Sequence, residues 1–372
     1  MTRVGLDGQI FAMHRHGGIS RYFATLLSSP AKQNNRLSFC PLFRRHINDY
    51  LREESVGLYC EDETSHRLLS GAMHLDANQQ RTKYQEFDIY HGTYYLGEPP
   101  KGPSKKWPVV STLHDMTPEN FPAFFPRGNP HQNKIEWLQN SDLIISVSQT
   151  SADDLIERHP HLASRIRIIH HGIKPRHPAR TSTNTLIELG KNPFFLFVGS
   201  RSGYKNAHLI LRAFLRLGER VGEHHLFFAG GGPLTTQEHQ LIQTSPLRSR
   251  IHVCQPDDAS LFQLYQQASL VLVPSLAEGF SYPLIESLDA DTAIACSDIC
   301  VHREVAADFA HFASPVDIGD WCDILAQPSA LNKPSEYLGS QYQARLRYYH
   351  RDRMLNEHWS AYQELAGVKT AS

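Results

Sequence analysis

A series of short apolar runs constrains this chain more than any other feature. Seven such runs, each bounded by turn residues, occur at 87–91, 107–113, 142–148, 165–169, 194–198, 225–229 and 269–273. Short continuous apolar runs are typical of parallel strands that are buried on both faces. Segments with helical spacing lie between them, for example 151–158 and 206–215. Strands that alternate with helices predict an α/β fold, in which helices cover both faces of parallel sheets.

The chain is long enough for two such domains, since it has 372 residues. The best linker candidate is the segment 171–180, which follows a predicted strand and holds one glycine and two prolines. We therefore expect a first domain over 1–172 and a second over 173–350, with a cleft between them. In open α/β sheets ligands bind beyond the carboxyl ends of the strands, so the residues that follow each strand are the candidates for function.

Charge and cysteine content exclude several classes of protein. Lysine plus arginine number 37 and aspartate plus glutamate 38, which argues against a dedicated nucleic-acid binder. No apolar run approaches the roughly 20 residues that span a bilayer, and the N-terminus has no apolar signal-peptide segment. The six cysteines are dispersed without a CxxC pair, so we expect a reduced, cytoplasmic chain.

The 22 histidines include four close pairs that could chelate a metal weakly, but no spacing typical of a zinc site accompanies them. We therefore expect no metal.

The segment PSLAEGFSYPLIE, residues 274–286, carries the strongest chemical signal. It predicts a strand end, a glycine-containing turn and a helix that begins near 281–283, with a proline in its first turn. Backbone amides at such a turn favour a phosphate. The carboxylates of Glu278 and Glu286 could accept hydrogen bonds from sugar and ribose hydroxyls. An ordinary strand–turn–helix with two solvated acids would show the same spacing.

This segment resembles the E-x7-E signature of retaining glycosyltransferases with the GT-B fold, particularly family 4. Glu278 and Glu286 match the two glutamates, and the residues around them match closely. The resemblance implies two facing Rossmann-like domains with an interdomain cleft. It also implies that the last stretch, 351–372, is a helix that crosses back to the first domain.

Further segments resemble the same family in the same order. GGISRY at 17–22 resembles the N-terminal glycine loop, and TLHDM at 112–116 resembles a Thr-x-His-Asp segment whose histidine faces the donor sugar. VGSRSGYKN at 198–206 resembles the loop whose basic residues hold the donor diphosphate, although the family often places its arginine one residue nearer the first glycine. AGGGPL at 229–234 fits as a structural turn, and 252–258 resembles the segment near the base, with Cys254 where the family usually has glycine. Each segment alone is also compatible with a purely structural role.

By this resemblance the chain is a metal-independent, retaining hexosyltransferase that needs no cofactor. The implied donor-binding residues are Gly17, Gly18, Arg201, Lys205, Glu278, Gly279, Phe280, Ser281 and Glu286, and the implied catalytic residues are His114, Lys205 and Glu278. Arg201 and Lys205 would stabilise the leaving nucleoside diphosphate. The resemblance extends to bacterial mannosyl- and deoxyhexosyltransferases of surface polysaccharides, so the expected donor is GDP-mannose, with UDP-hexoses and dTDP-rhamnose as alternatives.

The expected partners are the nucleotide-sugar donor and a saccharide or lipid-linked acceptor. Two other functions remain open: a nucleotide-sugar epimerase on the same fold, and a non-catalytic scaffold subunit. The loop 121–126, FPAFFP, holds three aromatic residues in a proline-bounded turn. It predicts either a loop folded over the domain core or a contact with a lipid-linked acceptor or the inner face of the membrane.

Overall fold

A computed structural model describes residues 2–28, 37–43, 45–53, 59–60, 86–101, 106–175, 192–201 and 203–369. The chain forms two compact units. Unit 1 comprises Met1–Gly172 together with Arg351–Ser372, and unit 2 comprises Ile173–His350.

Unit 1 is built on a parallel sheet of six strands within the described residues, in the order β2-β1-β5-β6-β7-β8. Its strands are β1 Thr2–Leu6, β2 Leu37–Pro41, β5 Ile89–Gly92, β6 Val109–Leu113, β7 Leu143–Ser146 and β8 Ile166–Ile168. A separate parallel pair is formed by β3 Arg45–His46 and β4 Tyr59–Cys60. The chain passes outward from β1 to β2 in one direction and from β5 to β8 in the other, so the strand order reverses between β1 and β5.

Helices cover the sheet of unit 1. They are α1 Gln9–Met13, α2 Gly18–Leu27, α3 Asp49–Glu53, α4 Thr117–Asn120, α5 Lys134–Gln139, α6 Gln149–Arg158, and the 3-10 turns Pro122–Phe124 and Pro160–Arg165. The C-terminal helix Arg351–Lys369 also packs on this unit, because Met354, Leu355 and Tyr362 belong to its buried core. The Tyr22 hydroxyl lies 2.5 Å from His358 Nε2 and fastens this helix to α2.

Unit 2 has a second parallel sheet, with six strands in the part of the chain described, in the order β11-β10-β9-β12-β13-β14. Its strands are β9 Phe194–Val198, β10 His225–Ala229, β11 Ile251–Cys254, β12 Leu270–Val273, β13 Ile294–Ser297 and β14 His311–Ala313. Here the strand order reverses between β9 and β12. This reversal marks the point at which an open α/β sheet usually binds its ligand.

The helices of unit 2 bury apolar faces against this sheet. They are α7 Ala207–Leu217, α8 Thr236–Gln243, α9 Asp258–Gln267, α10 Tyr282–Asp289, α11 Cys300–Ala306, α12 Ile318–Ala326 and α13 Pro334–Tyr348, which is kinked at Gly339. Short 3-10 turns lie at Gly203–Lys205, Gly218–Val221, Arg248–Arg250, Ala307–Phe309 and Pro328–Ala330. Apolar residues on one face of α7, among them Ile210, Phe214 and Leu217, enter the core.

The predicted fold class is confirmed: both sheets are parallel and both units are Rossmann-like. Each of the seven apolar runs overlaps a strand. Several strands escaped prediction, such as β1, because Arg3 and Gly5 interrupt its apolar residues. Of the linker candidate 171–180, residues 176–180 lie outside the described residues, whereas Ile173 forms a bridge with His350.

The aromatic loop 121–126 does not enter the apolar core of unit 1. Phe121 is 37% exposed, and Phe124 and Phe125 are only partly buried. Within the described residues, no helix is long and apolar enough to cross a membrane.

Candidate active site

The candidate site in unit 2 is formed by two segments at the reversal of strand order. The loop 199–206 follows β9, and the turn 274–281 follows β12. Because β9 and β12 are adjacent and parallel, their carboxyl ends bring these two segments together. The sequence places a lysine in one segment and a glutamate in the other.

Lys205 and Glu278 form a close ion pair at this edge. Lys205 Nζ lies 2.6 Å from Glu278 Oε1 and 2.7 Å from Oε2. The Ser275 hydroxyl donates a third hydrogen bond to Oε1 at 2.7 Å. The Glu278 side chain is 8% exposed and that of Lys205 is 24% exposed, so solvent reaches the cation more easily than the carboxylate. Two of the three residues that the resemblance implies to be catalytic, Lys205 and Glu278, therefore lie in contact.

Backbone contacts fasten the two segments to each other. The Leu276 N–H donates to the Tyr204 carbonyl at 2.7 Å. The Asn206 amide group donates to the carbonyls of Pro274 at 3.1 Å and Pro315 at 2.9 Å. Asn206 itself has a left-handed backbone with φ 57°. The loop that carries Lys205 is thus fixed against the turn that carries Glu278.

The turn ends in a strained residue at the start of α10. Ser281 precedes this helix with φ 84°, a value that costs energy for a residue with a Cβ. Its Oγ is buried and has no hydrogen-bond partner among the described residues. A strained residue with an unpaired buried hydroxyl is more typical of a ligand site than of a simple connection.

Two other predicted residues, Phe280 of the turn and Glu286 of α10, have buried side chains. The Phe280 ring is buried and lies 5.8 Å from the Tyr349 ring, so a donor could contact only the backbone of Phe280. Glu286 is the fifth residue of α10, is buried, and accepts a hydrogen bond from the Tyr265 hydroxyl at 2.8 Å. The predicted contacts of Gly279 with phosphate and of Glu286 with ribose stay predictions.

Arg201 lies in the same loop as Lys205, but its side chain turns away from the ion pair. Its guanidinium donates to Glu238 at 2.8 Å and to the carbonyls of Gly230, Gly232 and Pro233 at 2.6–2.9 Å. The side chain is 3% exposed. This arrangement disfavours the predicted contact of Arg201 with the diphosphate.

The structure adds a residue that the sequence did not indicate, His302 of α11. It is fully buried, and its Nδ1 donates to the Ser297 carbonyl at 2.9 Å, while Nε2 has no partner among the described residues. Burial lowers its pKa to about 4; the negative charge of Glu278 opposes this shift and the positive charge of Lys205 adds to it. A neutral imidazole therefore lies within the electrostatic reach of the ion pair.

Three predicted residues belong to unit 1. Gly17, with φ 141°, precedes α2, and Gly18 is the first residue of that helix; both are exposed. His114 follows β6, is buried, and lies edge-on to the rings of Tyr22 and Phe23 at 5.9 and 5.8 Å. Burial, and then neighbouring histidines, hold its pKa well below the usual range, so the ring is neutral at physiological pH.

Among the described residues, no group of three or more His, Cys, Asp or Glu side chains is arranged to hold a metal ion.

Besides His302, sequence reasoning missed Ser275, Asn206 and Glu238. Asn206 follows Lys205 directly in the recognised loop, and a Thr-x-x-Glu pattern, Thr235 to Glu238, is the usual signature of a helix start. Both signals were present in the sequence, but neither indicates a contact with a distant loop.

Comparisons with known proteins identify both units. Residues 16–177 match the family described as Glycosyltransferase Family 4, and residues 182–341 match the family described as Glycosyl transferases group 1. The chain is 25% identical over 247 residues to O-antigen chain mannosyltransferase B of Escherichia coli, covering 63% of each protein. It is 21% identical over 237 residues to O-antigen chain mannosyltransferase RfbU of Salmonella typhimurium, covering 61% of this chain and 64% of the relative. The chain thus spans slightly less than two thirds of the length of these curated relatives.

Solved structures show the same fold. HepE of Anabaena, in complex with UDP and glucose, superposes with a TM-score of 0.72 at 16% identity, over 98% of this chain and 100% of that one. Sucrose-phosphate synthase of Thermosynechococcus elongatus superposes with a TM-score of 0.73 at 15% identity, over 99% and 100%. Together the two family matches cover most of the chain, which is a family 4-like glycosyltransferase with the GT-B fold.

Proposed function

We propose that this protein is a retaining, metal-independent glycosyltransferase that moves a hexose from a nucleotide sugar to a saccharide or lipid-linked acceptor. The observation that carries the proposal is the Lys205–Glu278 pair at the reversal of strand order in unit 2. The bond that breaks in a nucleotide sugar joins the diphosphate to the sugar. A cation suits the diphosphate, and a neighbouring carboxylate suits the hydroxyls of the sugar.

The diphosphate would draw Lys205 away from Glu278. Its negative charge grows as the glycosidic bond breaks, and a lysine placed beside it stabilises that charge more in the transition state than in the ground state. The same exchange frees Glu278 to accept hydrogen bonds from sugar hydroxyls, with Ser275 keeping the carboxylate in place. The Ser281 hydroxyl, three residues after Glu278 in the chain, is buried without a partner among the described residues and can donate to a phosphate oxygen.

Two finer features of this proposal rest on the resemblance and on the ion pair. Retention of anomeric configuration follows from the match to the E-x7-E signature. Independence from a metal follows from Lys205, which supplies the positive charge that a divalent ion gives in other transferases. Activity that persists in EDTA is therefore expected.

The proposed donor is GDP-mannose and the proposed role is surface polysaccharide synthesis at the cytoplasmic side of the membrane. Two relatives named O-antigen chain mannosyltransferases support this choice. HepE, which was solved with UDP and with UDP-glucose, makes UDP-hexoses the competing donors. The acceptor would bind to unit 1, where the exposed aromatic loop 121–126 offers an apolar contact for a lipid-linked saccharide.

The test is a donor panel with the purified protein. GDP-mannose, UDP-glucose, UDP-galactose and dTDP-rhamnose are incubated with a lipid-linked saccharide extract, and both the nucleoside diphosphate and the extended acceptor are measured by mass spectrometry. We expect release of one diphosphate together with acceptor extension. A new nucleotide sugar without diphosphate release would instead identify an epimerase. Absence of any nucleotide effect on thermal unfolding would identify a scaffold.

A further inference from the structure

Arg201 is held by a set of contacts that leaves no donor of its guanidinium unused. Nε donates to Glu238 Oε1 at 2.8 Å, Nη1 donates to Gly230 O and Gly232 O at 2.9 Å each, and Nη2 donates to Pro233 O at 2.6 Å and Glu238 Oε2 at 3.3 Å. An arginine side chain has five N–H donors, and these five bonds account for all of them. A phosphate could bind this guanidinium only by displacing buried hydrogen bonds.

The contacts shape a turn of unusual backbone conformation at the end of β10. Gly230, Gly231 and Gly232 have φ values of 97°, 74° and 72°, and a residue with a Cβ rarely adopts such values. A Cβ on Gly231 would lie 3.0 Å from Arg201 N and 3.1 Å from both Arg201 Nη1 and Gly199 O. The glycine turn therefore packs directly on the start of the loop that carries Lys205.

Arg201 and Glu238 together form a clamp, and its Glu238 end is equally well defined. Glu238 is the third residue of α8 and closes a capping box with Thr235, whose N–H donates to Glu238 Oε2 at 2.7 Å. Burial raises the pKa of Glu238, but the hydrogen bonds from Arg201 and Thr235 outweigh it and the net pKa is lowered. Glu238 is therefore a fixed anion at neutral pH, and it holds the guanidinium in one orientation.

The loop 199–206 is thus fastened at both ends. Arg201 ties its beginning to the turn after β10, and Tyr204 and Asn206 tie its end to the turn that carries Glu278. Lys205 lies between these two attachments.

We propose that Arg201 is a positioning residue, which together with Glu238 fixes the loop that presents Lys205 to the donor diphosphate, and that it does not contact the donor. This inference rests on the proposed function. It predicts that substitutions of Arg201, Glu238 and Lys205 have non-additive effects on nucleotide binding, because Arg201 acts through Glu238 on one side and through Lys205 on the other. A direct contact of Arg201 with the donor would lack this coupling. Direct contact would make Glu238 a competitor for the guanidinium, so removal of Glu238 would leave nucleotide binding unchanged or improve it.

The test is a pair of double-mutant cycles, with the dissociation constants of GDP, UDP and dTDP measured by calorimetry. The variants are R201A, E238A, R201A/E238A, K205A and R201A/K205A. Glu219→Ala is the matched control for loss of a glutamate, since Glu219 is an exposed residue of unit 2. Arg248→Ala controls for loss of an exposed arginine of unit 2. Thermal unfolding of every variant reports the folded fraction.

We expect R201A and E238A each to weaken the best nucleoside diphosphate by about tenfold, or about 1.4 kcal/mol. We expect R201A/E238A to bind the nucleoside diphosphate no more weakly than either single variant. In the K205A background, R201A should raise the dissociation constant by less than about twofold. Both controls should bind as the wild type does. If R201A does not fold, G231A disturbs the same clamp and replaces it.

Wild-type affinity in E238A, or an effect of R201A that is unchanged in the K205A background, would overturn the inference and leave the proposed function intact. Lower unfolding temperatures with unchanged affinity would assign Arg201 to stability alone and overturn it as well. If the wild type binds none of the three nucleotides, the proposed function fails, and the inference fails with it.

Discussion

Replacement of Glu278 by glutamine tests the ion pair with the smallest change of shape. The carboxylate accepts two hydrogen bonds from Lys205 and one from Ser275, all at 2.6–2.7 Å. An amide of the same size keeps one accepting oxygen and turns an N–H group toward the lysine ammonium. We therefore expect Glu278→Gln to lose the charge-assisted bonds that, in the donor complex, would go to sugar hydroxyls.

The size of the effect follows from those bonds. A hydrogen bond to a charged group contributes about 2 kcal/mol, so the loss of one or two in the transition state lowers kcat/KM by roughly thirtyfold to a thousandfold. Stability should change little, because the Lys205 side chain is 24% exposed and its ammonium can regain water. An ion pair of this exposure contributes at most about 1 kcal/mol, equal to a shift of less than about 4 °C in Tm.

The assay is diphosphate release from the preferred donor, alongside thermal unfolding of the same preparations. Glu219→Gln is the matched control, since Glu219 is an exposed glutamate of unit 2 in the 3-10 turn Gly218–Val221. Near-normal turnover in a correctly folded Glu278→Gln variant would refute the assignment of this carboxylate to the site.

Four further predictions follow from particular contacts. Lys205→Ala should weaken donor use by at least about tenfold, and wild-type activity should survive EDTA; complete loss on chelation that Mg²⁺ restores would count against Lys205 as the cation. Ser281→Gly should relieve the strain at φ 84° and raise the free energy of unfolding by about 1 kcal/mol while lowering donor affinity; calorimetry that finds unchanged affinity would exclude Ser281 from the site. Burial holds the pKa of His358 at about 4 instead of 6.5. The unfolded chain therefore binds the extra proton between these values, and the free energy of unfolding should rise with pH from about 4 to 6.5 by about 3 kcal/mol. His358→Gln should remove this contribution and make the slope shallower in denaturant titrations, and an unchanged slope would contradict the burial argument. Serine at Phe124 and Phe125 should reduce acceptor use and vesicle binding at constant donor affinity, whereas a large loss of thermal stability with unaltered vesicle binding would assign the loop to the core.

The sequence predicts the strands with the longest uninterrupted apolar runs and misses β1, in which polar residues and glycine interrupt the run. Phe194–Val198 and Leu270–Val273 are uninterrupted apolar runs, so their composition alone predicts burial on both faces. Thr2–Leu6 also pairs with a strand on each side, β2 and β5, but Arg3 and Gly5 break its apolar pattern. A period-based prediction cannot recover a strand whose burial depends on neighbours that are distant in the chain.

The same limit applies to the site. Lys205 and Glu278 could be predicted because each lies in a recognisable segment directly after a strand. The direction of the Arg201 side chain could not, since Glu238 and the glycine carbonyls that fix it are about thirty residues further along the chain. His302 carries no local signal, because only the packing of α11 brings it within reach of the ion pair.

The most direct test of the central claim is a crystal structure of the protein with its preferred nucleoside diphosphate. We predict a phosphate oxygen within about 3 Å of Lys205 Nζ, at the carboxyl ends of β9 and β12, with the Lys205–Glu278 pair opened. Arg201 should still be bonded to Glu238 in that complex. A diphosphate bound elsewhere, with Lys205 and Glu278 still paired, would contradict the assignment of this edge of unit 2 as the donor site.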